Sequence, residues 1–125
     1  MSMSKEQFYR LTEGLLYQSE TDAPLNYYEL GLEQWPPSTV GQFLELIGED
    51  RATPVGRLAP EKFFRDLRPG NENYEDQVVA LQRAMTEELK NLEGFRVGEI
   101  QIKIFVLGKD DSGNVCGLQT LSVET

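Results

Sequence analysis

The sequence predicts an α+β fold, with helices packed on a sheet of about three or four strands. Three observations predict it. Apolar residues recur every three or four positions in four segments between Lys5 and Leu92. From Val97 to Leu107 the period changes to two. Turn residues at Lys109–Gly113 then join that run to a second strand-like segment, Asn114–Glu124. Helices first and a hairpin last is the order of an α+β domain. The 125 residues suit one domain spanning 1–125, long enough to bury a core without staples.

Ser4 is placed to cap a first helix over about Lys5–Leu16, with Phe8, Leu11, Leu15 and Leu16 on one face. Gly14 is its weak point, and Ser19–Pro24 breaks it into an exposed loop. Leu25–Leu32, with its tyrosines, reads as a strand. Ser38 or Thr39 caps a second helix bearing Val40, Phe43, Leu44 and Ile47, and Gly48 stops it. Residues 49–59 read as a loop around Pro54 and Gly56. Pro60 opens a short helix with Phe63, Phe64 and Leu67 on its apolar face. The longest helix runs over about Tyr74–Leu92, on Val78, Leu81, Met85, Leu89 and Leu92. In the closing hairpin Ile100, Ile102, Ile104 and Val106 share one face, and Gln101, Lys103 and Phe105 the other.

Composition excludes several classes of function. There is no His and a single Cys, Cys116, so Ser-His-Asp and Cys-His catalysis, Cys-based zinc sites and an intrachain disulfide all drop out. No run approaches 18 apolar residues, and the first residues lack the layout of a signal peptide. The expectation is a cytoplasmic protein without membrane contact. Twelve Lys and Arg against 21 Asp and Glu give a net charge of −9. That balance disfavours direct binding of nucleic acid, whose phosphates need cations, and suits a basic partner.

Asp110–Asn114 lacks the alternating ligands and distal Glu of a calcium loop and reads as a hairpin turn. Cys116 falls in an apolar strand and reads as a small core residue. Trp35 reads as a partly buried anchor. Glu72, Glu75 and Asp76 complement the positive end of the long helix, beside Tyr74, a ring of the kind enriched at interfaces. Two features stand apart. Glu20 and Asp22 are acids in an exposed loop, where they do little for the fold. The chain also stops at the end of a strand, which fixes Thr125 if that strand is paired.

The segment Glu13–Pro24 (EGLLYQSETDAP) resembles the N-terminal motif of the nuclease A inhibitor family, small acidic proteins that block sugar-non-specific, magnesium-dependent endonucleases. Val97–Ile102 (VGEIQI), Val106–Gly108, Gly113, Asn114, Gly117, Thr120 and the terminal Val123–Thr125 are similar to that family in register. The resemblance implies a three-layer α/β/α sandwich and an inhibitor rather than an enzyme. It implies no cofactor or metal of its own, and a basic, metal-dependent nuclease as partner. It implies that Glu20 imitates the scissile phosphate and that the Thr125 hydroxyl reaches the partner's magnesium. The two groups must then lie side by side. The family's second contact is an Asp-Trp pair entering the long helix. Here the nearest residues are Asn73 and Tyr74, flanked by Glu72 and Glu75, a departure that leaves a second reading: an acidic interaction module of the same fold with a non-nuclease partner.

Overall fold

Ser4 caps the first helix reciprocally. Its side chain accepts from the Gln7 amide while the Gln7 side chain accepts from the Ser4 amide. The computed structural model describes residues 4–20, 22–68 and 74–124. Helix α1 (Lys5–Thr12) follows the cap and stops four residues before the sequence predicts. Gly14, at φ +79°, turns the chain out of the helix. Leu15 is buried, and Leu16 starts a strand instead of a further turn. Gln77 covers this helix end by donating to the carbonyls of Leu11 and Glu13 at 3.0 and 2.7 Å.

Strands β1 (Leu16–Gln18) and β2 (Asp22–Pro24) form a hairpin where a loop was predicted, with Gln18 opposite Asp22. Asp22 is therefore a strand residue, exposed at the start of β2, and not a loop residue. Strand β3 (Asn26–Leu32) and helix α2 (Val40–Ile47) lie where expected. Thr39 caps α2, and Gly48, at φ +76°, ends it in the left-handed conformation. Residues 55–58, predicted as loop, form β4 (Val55–Leu58). Pro60 opens α3 (Pro60–Arg65), and Leu67 leaves it for the short β5 (Leu67–Arg68).

The largest correction concerns the long helix. α4 spans Tyr74–Glu88, and β6 (Lys90–Val97) replaces its predicted last turn. Asn91 takes a positive φ of 54° at a bulge between Lys90 and Glu93, which ends the helical repeat. Trp35, only 8% exposed, anchors the bulge by donating from Nε1 to the Asn91 carbonyl at 2.8 Å. It is a core residue more than a partly buried one. Strands β7 (Gln101–Lys109) and β8 (Asn114–Val123) form the predicted hairpin. The Asp110 carboxylate accepts from the amides of Ser112 and Asn114, which makes the turn self-sufficient. Ile100 departs from expectation: it is 58% exposed in the β6–β7 turn.

Among the described residues the strands make two antiparallel sheets. One has five strands in the order β3-β8-β7-β6-β4, more than the three or four predicted, and the other has the order β2-β1-β5. β7 is central and buried on both faces. Ile102, Ile104 and Val106 join one core cluster with Phe8 of α1, Phe63 and Phe64 of α3, and Leu81 and Met85 of α4. Phe105 and Leu107 join the other with Phe43 and Leu44 of α2, Phe95, Val97 and Trp35. Phe105 thus lies in a second core on the face opposite Ile104. Phe43 stacks on Phe95 with ring centroids 3.9 Å apart. Cys116 is fully buried in the first cluster, and burial pushes its thiol up to about 11.

The β7–β8 contact leaves no room for a side chain at Gly117. A Cβ there would lie 2.1 Å from the Val106 carbonyl oxygen and 3.0 Å from the Leu107 Cα. Both are backbone atoms of a central strand and have nowhere to move. Gly117→Ala is therefore expected to destabilise the fold by at least about 2 kcal/mol, within the overpacking range. Gly56→Ala, where nothing lies within 4 Å, is expected to stay within about 0.5 kcal/mol. Urea midpoints of the two variants against the parent measure the difference.

Candidate functional site

β8 outruns its outer neighbour. Pairing with β3 begins at Asn26 opposite Gln119, so the last residues of β8 extend past it. Unpaired strand backbone needs partners, and the β1–β2 hairpin supplies them. Ser19 Oγ accepts from the Val123 amide at 3.0 Å, and the Glu20 amide donates to the Val123 carbonyl at 3.2 Å. Deeper in, the Thr120 hydroxyl donates to the Pro24 carbonyl at 2.8 Å. The connection between β1 and β2 is thus fastened to the end of β8, with the Glu20 side chain exposed.

Tyr17 sets the base of this hairpin. Its ring is buried and stacks on Phe63 of α3 at 5.4 Å. Burial pushes its hydroxyl above the ordinary value, and Asp66 adds to the effect. On the other side Glu124 is held three ways. Its amide donates to the Ile100 carbonyl at 2.9 Å, and its Oε2 accepts from Arg96 at 2.5 Å and from the Ser122 hydroxyl at 2.8 Å. The Arg96 and Ser122 hydrogen bonds hold the Glu124 carboxyl below its usual range. The charge on Glu124 therefore favours the folded state at neutral pH. That contribution is complete above the ordinary value of 4.5 and is lost as the pH falls through the lowered folded value.

These groups line an open depression of about 360 Å³, together with Lys62, which is paired to Asp66 at 3.0 Å. A larger depression of about 520 Å³, lined by Tyr9, Arg10, Glu13, Leu16 and Pro24 among others, shares no residue with it and is mostly apolar. Of the residues that the sequence singled out, Glu20 stands against the end of β8, Asp22 opens β2 beside it, and Tyr74 opens α4. Asn73 and Thr125 lie outside the described residues. Sequence reasoning missed Arg96, Ser122 and the structural part of Ser19. Arg96 and Glu124 are two strands apart in the sheet, and nothing in their spacing along the chain announces the pair.

The geometry is a fastened acidic turn beside a strand end. Among curated proteins no sequence matches the chain. A family model described as NuiA, nuclease A inhibitor-like protein, matches residues 3–125. The match covers nearly every residue, including the hairpin turn, the β7–β8 pair and the strand end just described, and the chain belongs to the nuclease A inhibitor-like family.

Proposed function

We propose that the chain is a non-enzymatic protein inhibitor of a magnesium-dependent, sugar-non-specific endonuclease, acting in the cytoplasm on a three-layer α/β/α frame. The observation that carries this reading is the pair of hydrogen bonds from the Ser19–Glu20 turn to Val123. They support an arrangement in which an exposed carboxylate and the chain end enter one cleft together. A nuclease cleft is positive because it binds phosphates, and its metal keeps positions open to oxygen ligands. The Glu20 carboxylate takes the place of the scissile phosphate. The Thr125 hydroxyl approaches the partner's magnesium. Neither presents a phosphodiester, so the cleft is filled and nothing is cut. Asp22 and the Asn73–Tyr74 pair at the entrance of α4 supply flanking contacts. The net charge of −9 speeds encounter with the basic cleft in a salt-dependent way.

The direct test is capture of the nuclease from the native lysate, followed by plasmid degradation in magnesium buffer with and without the protein. No captured nuclease, with undiminished degradation, would favour the non-nuclease interaction module instead.

Glu20→Gln keeps the shape and removes the charge. The complex is expected to weaken by about 1.5–3 kcal/mol, the worth of a charge-assisted hydrogen bond. Folding stability is expected to shift by no more than about 0.5 kcal/mol. Inhibition constants and thermal melts read the two quantities separately, and an unchanged inhibition constant removes the phosphate-mimic role.

Thr125→Val keeps the β-branched shape and deletes only the hydroxyl. It is expected to weaken inhibition in magnesium buffer more than it weakens binding to metal-free nuclease. A C-terminal tag is expected to weaken both, since it fills the same space with the wrong atoms. Equal inhibition by the parent, Thr125→Val and the tagged form would exclude the terminus from the metal.

A further inference from the structure

We infer that Arg96 is a positioning residue: by clamping Glu124 it holds the end of β8 against the Ser19–Glu20 turn, so that the turn and Val123–Glu124 behave as one rigid unit. The functional half of this inference rests on the inhibitor reading above. Its structural half concerns the free chain alone.

A strand end frays unless something ties it down. Here the ties converge on two residues. Both backbone groups of Val123 are taken by the turn, through Ser19 Oγ and the Glu20 amide. Glu124 is tied through its backbone to Ile100 and through its side chain to Arg96 and Ser122. Ser122 is only two residues before Glu124 along the chain, so its side chain cannot fix that end relative to another strand. Arg96 can. It belongs to β6, on the far side of β7 from β8, and its guanidinium spans the intervening strand to reach Glu124.

Magnitudes separate positioning from stabilisation. The two side chains are 33% and 46% exposed, and ion pairs this wet add little to folding stability. The β7–β8 ladder already runs to Val123 without Arg96. What the guanidinium adds is a fixed direction for Glu124, just beyond that ladder. For two tips that must enter one cleft, pre-set geometry raises affinity because less motion is lost on binding. The carboxylate of Glu124 then serves as the handle by which the scaffold holds the end and is not itself a contact with the partner.

Two variants of the full-length chain test this. Arg96→Met keeps the apolar stem and removes the guanidinium. Glu124→Gln keeps the shape and removes the charge. Three quantities are measured in each: backbone amide order by NMR at Glu20, Val123 and Glu124, the melting temperature, and inhibition of a magnesium-dependent sugar-non-specific endonuclease. Order parameters at Glu124 are expected to fall from about 0.85 to below about 0.6 in both variants, with melting temperatures nearly unchanged. Inhibition is expected to weaken about tenfold or more, and the double variant is expected to be no worse than either single one, because both remove the same interaction. Arg96→Lys is expected to recover part of the order and of the inhibition. Unchanged order in both variants overturns the inference, as do order lost with inhibition intact and additive losses in the double variant. If Arg96→Met fails to fold, Glu124→Gln, altered only near the exposed chain end, still reads the clamp. If order is lost but the parent itself inhibits no such nuclease, the clamp stands and the inhibitor reading falls.

Discussion

The chain buries both faces of β7, and most of the architecture follows from that. A strand with Ile102, Ile104 and Val106 in one core and Phe105 and Leu107 in another cannot sit at an edge. It needs a paired strand on each side, which β6 and β8 provide. Each of those five side chains contributes roughly 1.5–3 kcal/mol when removed from water. The two apolar faces also divide the helices between them: α1, α3 and α4 supply one cluster and α2 the other. Because β8 must run the length of β7, it extends past the start of β3 at Asn26. The exposed strand backbone this creates is what the β1–β2 hairpin covers. The position of Glu20 is thus a consequence of core packing several residues away.

That separation matters energetically. The stability of the fold resides in the two clusters and in close backbone contacts such as that at Gly117. The ion pairs around the site, Lys62–Asp66 and Arg96–Glu124, are partly exposed and add little to stability. The surface acids are therefore available for recognition without endangering the fold. A net charge of −9 acts over roughly a Debye length of about 8 Å at physiological salt. It governs how fast a basic partner arrives more than how long it stays. Residence depends on the few groups whose geometry is fixed.

The sequence was legible where local chemistry and tertiary packing agree. Thr39 and Gly48 bracket α2, Asp110 builds its own turn, and β7–β8 announces itself by its apolar residues. It misled where a repeat continued by coincidence. Leu89 and Leu92 extend the helical spacing of α4, yet Leu89 falls in the link after α4 and Leu92 at the bulge of β6, where both still reach the same core. β4 was hidden because it is a four-residue edge strand bracketed by Pro54 and Pro60, with a glycine inside it. At the site, Glu20 and the chain end were conspicuous as an acid in an exposed connection and as a strand-terminal residue. Arg96 was invisible, because its partner is reached only once β6, β7 and β8 are in register. The roles given to Glu20 and Thr125 came from the family resemblance, which local physics alone did not supply.

The form of the site bears on what it can do. A binding pocket for a small molecule is concave and mostly apolar, with a few convergent polar groups. The one apolar depression of that kind discussed above, near Tyr9 and Pro24, shares no residue with the fastened turn. The region around Glu20 is instead polar and open, built from a turn and a strand end at the margin of the sheet. Such a margin is suited to entering a cleft on another molecule. What it requires in return is rigidity. Here rigidity comes from hydrogen bonds running sideways between the turn and the strand, and from one arginine reaching across the sheet. The same few bonds that satisfy the edge of β8 also fix the backbone of the turn that carries Glu20. The hairpin thereby closes the strand's open edge and ties the Glu20 backbone to Val123.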